Sequence, residues 1–254
     1  MVPMTSVGLA GGGVVPSPAD ARPQSQPHDQ VAGGGVVPSP ADAVAQGVGP
    51  WPGGPQQWPR DDNGDVDPRF DVELLTHGDQ RNVIDRYRYW TMDAIVADLD
   101  EHRHPLHIAI ENWHHDFNIG SVVRTANAFA VAEVHIVGKR RWNRRGAMVT
   151  DRYQHIRHHE DAQAFAQWAQ DNGLTVIGID NIDGSVPIEG FAFPRASVLV
   201  FGQESTGLTQ PMQEVSQSVV HITQYGSTRS MNAGAAAAIA MHAWVVQHIP
   251  TPGQ

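Results

Sequence analysis

Three polar segments in the second half of the chain each follow an apolar run with the character of a β-strand. They cover residues 111–126, 201–208 and 230–234, and each places Asn, Arg, Glu, Ser or Gly where a strand would give way to a helix. In open α/β sheets, ligands bind outside the carboxyl ends of the strands, where such polar groups converge. The order of these segments therefore predicts an α/β fold with a ligand site at this edge of the sheet.

The spacing of apolar residues predicts alternating strands and helices from residue 106 onward. We expect strands at 106–110, 131–137, 174–179, 197–201 and 219–222, and helices at 121–129, 161–170 and 231–247. This alternation is typical of a mostly parallel sheet with helices on both faces. Earlier in the chain, apolar residues three or four apart predict an amphipathic helix from Asp79 to about Arg103, with Arg81, Arg86 and Arg88 on its polar face.

The first 68 residues are rich in Pro and Gly, and residues 10–21 recur letter for letter at 32–43. Such a composition buries too little apolar surface to offset the chain entropy lost on folding. We therefore expect a disordered tail at 1–68, a helical extension at 69–104, the ligand-binding domain at 105–249 and a short tail at 250–254. The alternative for the first segment is a Pro-rich docking peptide.

Composition excludes several classes of protein and site. No basic region precedes an apolar one near Met1, and no window approaches the roughly 18 apolar residues of a membrane span, so we expect neither a signal peptide nor a membrane anchor. Cysteine is absent, which rules out disulfides and thiolate metal sites and fits a cytoplasmic setting. The histidines that lie nearest one another in the sequence form two groups: His102, His104 and His107, and His155, His158 and His159. Arginines interrupt the second group, so we interpret these as surface histidines and predict no metal.

The formal net charge of −10 argues against a protein that coats nucleic acid nonspecifically, but one segment is strongly basic. Five cations surround Trp142 and Asn143, namely Lys139, Arg140, Arg141, Arg144 and Arg145. Cations beside an aromatic ring suit a polyanion with exposed bases, since the cations contact phosphates and the ring can stack. We interpret this segment as an RNA-binding loop; the alternative is a solvated loop without a partner.

Taken together, the three segments resemble the motifs of the SpoU-type (TrmH-like) branch of the SPOUT superfamily of RNA methyltransferases. The matching residues are Asn112, Asn118, Gly120 and Arg124-Thr125-Ala126 in motif 1, Phe201 to Leu208 in motif 2, and Ser230-Met231-Asn232 in motif 3. The family usually has Gly where Ala130 stands, and a Val-Ser pair where this chain has Ala233-Gly234. The resemblance covers about residues 105–248.

The resemblance implies a particular fold, cofactor and assembly. These are a C-terminal deep trefoil knot, S-adenosyl-L-methionine (AdoMet) bound against the knot backbone, and a homodimer formed through the knot helices. The implied cofactor-binding residues are Gly202, Ile222 and Met231. Their chemistry agrees, because Gly202 and Gly207 permit close backbone approach and the two apolar side chains can flank an adenine.

The reaction that the resemblance implies is methyl transfer to a ribose 2'-hydroxyl of tRNA or rRNA. We expect the predicted Asp79–Arg103 helix and the basic loop to recognise the RNA. Arg124 is the implied catalytic residue, and because a guanidinium does not lose its proton near neutrality, we interpret it as a phosphate clamp and alkoxide stabiliser. Asn118 and Asn232 offer amides to hold the arginine and the ribose. Glu204 would pair with Arg124 or orient a loop, and Ser230 would hydrogen-bond near the ribose. The alternatives are a noncatalytic RNA-binding protein on the same fold and an unrelated α/β binding domain.

Overall fold

The five predicted strands and two further strands form one seven-stranded sheet in which every pair of neighbours is parallel. The computed structural model describes residues 47–112, 118–203 and 206–250. The strand order is β3-β2-β1-β6-β4-β7-β5. The strands are β1 (His104–Asn112), β2 (Val131–Gly138), β3 (Ile156–His159), β4 (Thr175–Ile179), β5 (Val186–Pro187), β6 (Ser197–Phe201) and β7 (Ser218–His221).

Six α-helices accompany the sheet within the described residues. They are α1 (Val72–His77), α2 (Met92–Asp100), α3 (Ile119–Ala128), α4 (Ala162–Asp171), α5 (Gln210–Val215) and α6 (Ala233–His248). Helices α3 and α6 pack on one face of the sheet, where Ile108 and Ile110 contact a core that includes Trp244. Helices α4 and α5 cover the other face, around Phe165 and Met212. The predicted parallel sheet with helices on both faces is therefore confirmed.

The register of the central strands brings the three polar segments together. Ile110 near the end of β1 and Ile179 at the end of β4 both lie opposite Phe201 at the end of β6. Ile179 also lies opposite Val220 in β7, the strand that precedes the third polar segment. Because the strands are parallel, their carboxyl ends are level and the segments that follow them start at one edge. This edge is where the sequence predicted a ligand site.

The connection from α3 to β2 contains a backbone conformation that glycine favours. Ala130 has φ 48°, in the left-handed region that L-residues rarely adopt. Glycine usually stands at this position in the family that the motifs resemble. The structure thus supplies a physical reason for that preference.

The predicted helix from Asp79 to Arg103 is wrong in its first half. Between Asp79 and Thr91 only a short 3₁₀ turn, Asp85–Tyr87, is helical, and the regular helix α2 begins at Met92. The carboxylate of Asp79 is fully buried and accepts hydrogen bonds from the backbone N–H groups of Arg81 (2.9 Å) and Tyr89 (3.0 Å) and from the Arg81 guanidinium (2.9 and 2.7 Å). An Asp that bonds nearby backbone groups competes with helical hydrogen bonding, which explains the irregular path.

The arginines expected on that helix contact protein groups instead. Arg81 pairs with Asp79, Arg86 pairs with Asp98, and Arg88 donates to the backbone oxygen of Arg81 at 2.6 Å. Their hydrogen-bonding groups thus stabilise the N-terminal extension. The interpretation of this segment as an RNA-binding helix is therefore not supported by the geometry.

The expected tail boundary at residue 68 also differs from the structure, because residues 47–68 make specific contacts. Val48 exchanges two backbone hydrogen bonds of 2.9 Å with Asp79. Trp51 packs edge-on against Phe70 and Tyr89, with ring centroids 5.9 and 5.2 Å apart. These partners lie later in the chain, so local Pro-Gly composition conceals them. Residues 1–46 lie outside the described residues.

His107 and His159, both expected at the surface, form a hydrogen-bonded row with His135 across β1, β2 and β3. Nδ1 of His107 lies 3.0 Å from Nε2 of His135, and Nδ1 of His135 lies 3.0 Å from Nε2 of His159. His135 is fully buried and His159 nearly so, and residues 156–159 form a strand paired with β2. Trp168 covers the row, with its ring centroid 4.2 Å from that of His135. The surface interpretation is therefore wrong for His159, and His107 is only partly exposed.

Within the described part of the chain, no helix combines the length and the apolar character that crossing a membrane requires.

Candidate active site

A cavity of about 300 Å³ opens at the carboxyl ends of β4, β6 and β7. It is closed on one side by the start of α6, through Ala233 and Ala236. All four residues predicted to bind a cofactor line it, namely Gly202, Gly207, Ile222 and Met231, together with Ser230. The volume is at the lower end of the range for small-molecule sites.

Close backbone packing explains the two glycines in the cavity wall. Gly207 N donates to Gln203 O at 2.9 Å and Gln203 N donates to Gly207 O at 3.0 Å, which folds the segment back on itself. A Cβ on Gly202 would lie 2.0 Å from the carbonyl carbon of Gly207. Gly207 has φ 68°, which favours glycine. Larger residues at either position would distort the wall.

Two residues that the sequence analysis missed, Asp180 and Asn181, join the walls of the cavity. Oδ2 of Asp180 accepts a hydrogen bond from Leu208 N at 2.8 Å, and Oδ1 accepts one from Asn181 N at 2.7 Å. Nδ2 of Asn181 is 3.4 Å from the backbone oxygen of Arg229, just before motif 3. The polar pair directly after the apolar strand β4 was the signal that could have identified them.

Motifs 1 and 3 meet through their asparagines. Nδ2 of Asn232 donates to Oδ1 of Asn118 at 3.0 Å, while Oδ1 of Asn232 accepts from Ala235 N at 3.1 Å and so caps α6. A Cβ on Gly234 would lie 3.5 Å from Cβ of Ser121. The small residues at the start of α6 therefore allow close approach to α3 within the same chain.

Arg124 lies on the exposed side of α3, one turn beyond the exposed Ser121. It is not among the residues that line the cavity. Side chains on a helix tilt toward its N-terminus, which is the direction of the Asn118–Asn232 contact. Glu204, the predicted partner of Arg124, lies outside the described residues.

Buried polar side chains connect β1 to the two neighbouring loops. Glu111 accepts from the backbone N–H of Thr209 at 2.8 Å and from its hydroxyl at 2.6 Å, at the start of α5. Nδ2 of Asn112 donates to the backbone oxygens of Lys139 at 2.6 Å and Arg141 at 2.8 Å. Both side chains are fully buried, so β1 fixes the motif 2 segment and the basic loop together.

The basic loop packs directly against motif 1. A Cβ on Gly120 would lie 2.8 Å from Cα of Gly146, so only glycine permits this approach. All five cations of the loop are exposed: Lys139, Arg140, Arg141, Arg144 and Arg145. The structure therefore places them beside the helix that carries Arg124.

Trp142 is half-buried against the core, and its ring is accompanied by a cation. The guanidinium carbon of Arg144 lies 5.6 Å from the ring centroid, and its Nη1 is 3.5 Å from a carboxylate oxygen of Asp151. Part of the ring is thus in contact with protein groups before any base could stack on it.

One group of side chains has the donor atoms for a metal. Ligand atoms of His107, Glu133 and His135 lie within 4.8 Å of one another. The two histidines are already hydrogen-bonded, and Nε of Arg157 lies 3.1 and 3.0 Å from the two Glu133 oxygens. A cation in this position would meet the positive guanidinium, so the absence of a metal stays our prediction.

The cavity also contains a polar atom suited to a ligand. Oε1 of Gln203 is buried and accepts no hydrogen bond from the residues that the structure describes. Leaving a buried acceptor unpaired costs about 1–3 kcal/mol, which a ligand donor would recover. AdoMet offers such donors in its adenine amino group, ribose hydroxyls and ammonium, so the residues present fit this cofactor.

The fold and the site together define a parallel α/β protein with a ligand cavity at the carboxyl edge of its sheet. The profile of the SpoU rRNA Methylase family matches residues 105–242. The chain belongs to this family, which confirms the resemblance drawn from the three motifs.

Two relatives illustrate the similarity. The chain is 30% identical over 186 residues to an uncharacterized tRNA/rRNA methyltransferase of Mycolicibacterium vanbaalenii, which covers 68% of this chain and 58% of that protein. It is 24% identical over 156 residues to the tRNA (guanosine(18)-2'-O)-methyltransferase of Escherichia coli, and this alignment covers 60% of this chain and 68% of that protein. The chain thus spans little more than half the length of the first relative.

Solved structures share the fold. The TrmH/SpoU tRNA modifying enzyme of A. aeolicus superimposes with a TM-score of 0.55 at 19% identity, over 61% of this chain and 81% of that one. The SpoU methyltransferase AviRb from Streptomyces viridochromogenes, in complex with AdoMet, gives a TM-score of 0.53 at 21% identity, over 58% and 59%. The parallel sheet described above is therefore that of SpoU structures, while the trefoil knot stays a prediction.

Proposed function

We propose that this protein is an AdoMet-dependent methyltransferase that modifies a ribose 2'-hydroxyl of tRNA or rRNA. The observation that carries the proposal is the lining of the cavity, because Gly202, Gly207, Ile222 and Met231 all line it together with Ser230 of motif 3. The Escherichia coli relative is named for the same reaction on tRNA, and AviRb is described with AdoMet bound. Both names support the proposed chemistry.

In this proposal, the chain's own residues hold and orient the cofactor. The backbone at Gly202 and Gly207 approaches the ligand closely, Ile222 and Met231 flank the adenine, and Oε1 of Gln203 accepts a hydrogen bond from it. When bound, AdoMet supplies a methyl group already activated by its sulfonium. The protein must therefore chiefly position the ribose and exclude water.

Arg124 and the two asparagines act on the RNA side. Arg124 clamps the phosphate beside the target ribose and stabilises the developing alkoxide with its permanent charge. Asn118 and Asn232, already joined at 3.0 Å, offer amides to the arginine and the ribose, and Ser230 hydrogen-bonds near the same ribose. Glu204 pairs with Arg124 or orients the motif 2 loop.

RNA recognition rests on the basic loop and on the loop before motif 3. The first presents five exposed cations next to α3. The second presents Arg229 and Tyr225, whose side chain is 92% exposed and free to stack on an unpaired base. Neither residue lies in one of the three motifs.

Replacing Arg140, Arg141, Arg144 and Arg145 together with Ala should weaken RNA binding and leave AdoMet affinity unchanged. Removing four phosphate contacts lowers the salt dependence of binding, by as much as roughly 3 in the slope of log K against log salt. Filter binding at several salt concentrations measures this slope. Arg60→Ala, an exposed arginine of the N-terminal extension, is the control and should leave it unchanged. An unaltered slope in the quadruple variant would show that the loop does not contact RNA.

The proposal also includes a cytoplasmic homodimer formed through the region of α3 and α6. Ile239 and Val246 on α6 are 41% and 65% exposed, which leaves apolar surface for a second copy. Sedimentation of the purified protein measures the assembly. A monomer at micromolar concentration would contradict this part of the proposal.

Methyl incorporation from labelled AdoMet into unmodified tRNA and rRNA transcripts tests the function, with mapping of the modified nucleotide. We expect label at one ribose. AdoMet binding by calorimetry without transfer to either RNA pool would favour a noncatalytic RNA-binding protein. No AdoMet binding at all would refute the cofactor assignment.

A further inference from the structure

The cavity is almost free of charge. Among the lining residues that the structure describes, Asp180 is the one with an ionisable side chain at neutral pH. Asp180 forms no salt bridge with a Lys, Arg or His within residues 47–112, 118–203 and 206–250. Its negative charge therefore acts on whatever occupies the cavity.

The carboxylate is held in place rather than free to turn away. Its two oxygens accept from Leu208 N at 2.8 Å and from Asn181 N at 2.7 Å. A Cβ on Gly207 would lie 2.2 Å from Oδ2, so the motif 2 backbone packs directly against it. Charges fixed before the ligand arrives interact with it at no cost of reorganisation.

The ligand's charge changes during the proposed reaction. AdoMet carries a sulfonium, an ammonium and a carboxylate, and so has a net charge of about +1 near neutral pH. Transfer of the methyl group to the ribose 2'-oxygen forms a carbon–oxygen bond and breaks the sulfur–carbon bond, whose electron pair stays on sulfur. The hydroxyl proton is released to solvent. The product, S-adenosylhomocysteine, is therefore a neutral thioether with no net charge.

We propose that Asp180 is the residue that makes the cavity prefer the sulfonium-bearing cofactor over its thioether product. This inference rests on the proposed function. Asp180 attracts the ligand before transfer and loses that attraction afterwards, so the same residue favours cofactor entry and product release. The hydrogen bonds from Leu208 N and Asn181 N hold the charged carboxylate at the wall of the cavity.

Calorimetric dissociation constants for AdoMet and S-adenosylhomocysteine, measured on the wild type and on Asp180→Asn, test the proposal. The wild type should bind AdoMet more tightly. In the variant, which is nearly isosteric but uncharged, AdoMet affinity should fall roughly tenfold, as expected for one charge pair at partly screened separation, while product affinity changes less than twofold. A ratio of the two constants equal to that of the wild type would overturn the inference.

Asn181→Ser is the matched control. Asn181 also lines the cavity and tethers the motif 3 loop, but it carries no charge, so its replacement should change both affinities by the same factor. If Asp180→Asn fails to fold, the wild-type ratio decides, since equal affinities for the two ligands would overturn the proposal. A wild type that binds neither ligand would instead refute the proposed function.

Discussion

Arg124→Ala should lower the rate of methyl transfer by roughly 10²–10³-fold, the loss expected when one group that stabilises a developing oxyanion is removed. Single-turnover assays with saturating AdoMet and RNA measure this rate directly. AdoMet affinity should change less than twofold, because Arg124 is not among the residues lining the cavity. The melting temperature should stay nearly constant, because the side chain is exposed on α3.

Arg124→Lys separates charge from geometry. A lysine keeps the positive charge but lacks the planar fork that binds a phosphate with two hydrogen bonds. We expect it to restore part of the lost rate. A rate for Arg124→Ala above half of the wild-type rate would remove Arg124 from the proposed reaction.

The second large effect concerns acid stability. Burial lowers the pKa of His135 to about 2, with further contributions from the neighbouring His107, His159 and Arg157. Burial also lowers the pKa values of His107 and His159 to about 4, in both cases assisted by Arg157. The folded protein therefore keeps the row neutral at pH values where an unfolded chain binds protons.

This difference in pKa between the folded and unfolded states determines how the free energy of unfolding changes with pH. Above the ordinary histidine pKa of 6.5 both states are neutral and the row does not affect the pH dependence. As the pH falls below that value the unfolded state takes up protons first, so the free energy of unfolding decreases. Between about pH 6.5 and pH 5 the loss is roughly 2 kcal/mol for the buried His135. His107 and His159 contribute less than His135, because water screens their charges more.

Urea unfolding at about pH 7 and about pH 5 measures this loss. His135→Phe keeps an aromatic ring among the surrounding rings but removes one titrating group, so its stability should depend less steeply on pH than that of the wild type. His77→Gln is the control, since the His77 side chain is 71% exposed and should not alter the slope. Equal slopes for the wild type and His135→Phe would contradict the account.

Local sequence patterns were sufficient to predict most strands of the sheet. Apolar runs of strand length predicted β1, β2, β4, β6 and β7, and the polar segments after them predicted the edge at which the cavity lies. Strand β3 was missed because its four residues, Ile156–His159, have no apolar alternation. Only the cross-strand pairing with β2 makes this segment a strand.

In the N-terminal extension, local sequence patterns failed to predict the structure. Its apolar spacing favours a helix, but the buried carboxylate of Asp79 binds Arg81 and Tyr89 and overrides that preference. Trp51 lies in a Pro-Gly-rich segment and is ordered by rings later in the chain. Such nonlocal contacts leave no periodic signal.

The sequence by itself determined the family, the parallel α/β architecture and five of the residues that line the cavity, namely Gly202, Gly207, Ile222, Ser230 and Met231. Motif spacing and apolar periodicity are local properties of the chain, which is why they sufficed for this. Only the tertiary structure decided which side chains act together. The fold brings Asn118 to Asn232 and packs the Asp180 carboxylate against Gly207. It also aligns His107, His135 and His159 in one row. These contacts join residues far apart in the chain, so their energies depend on packing that no single segment encodes.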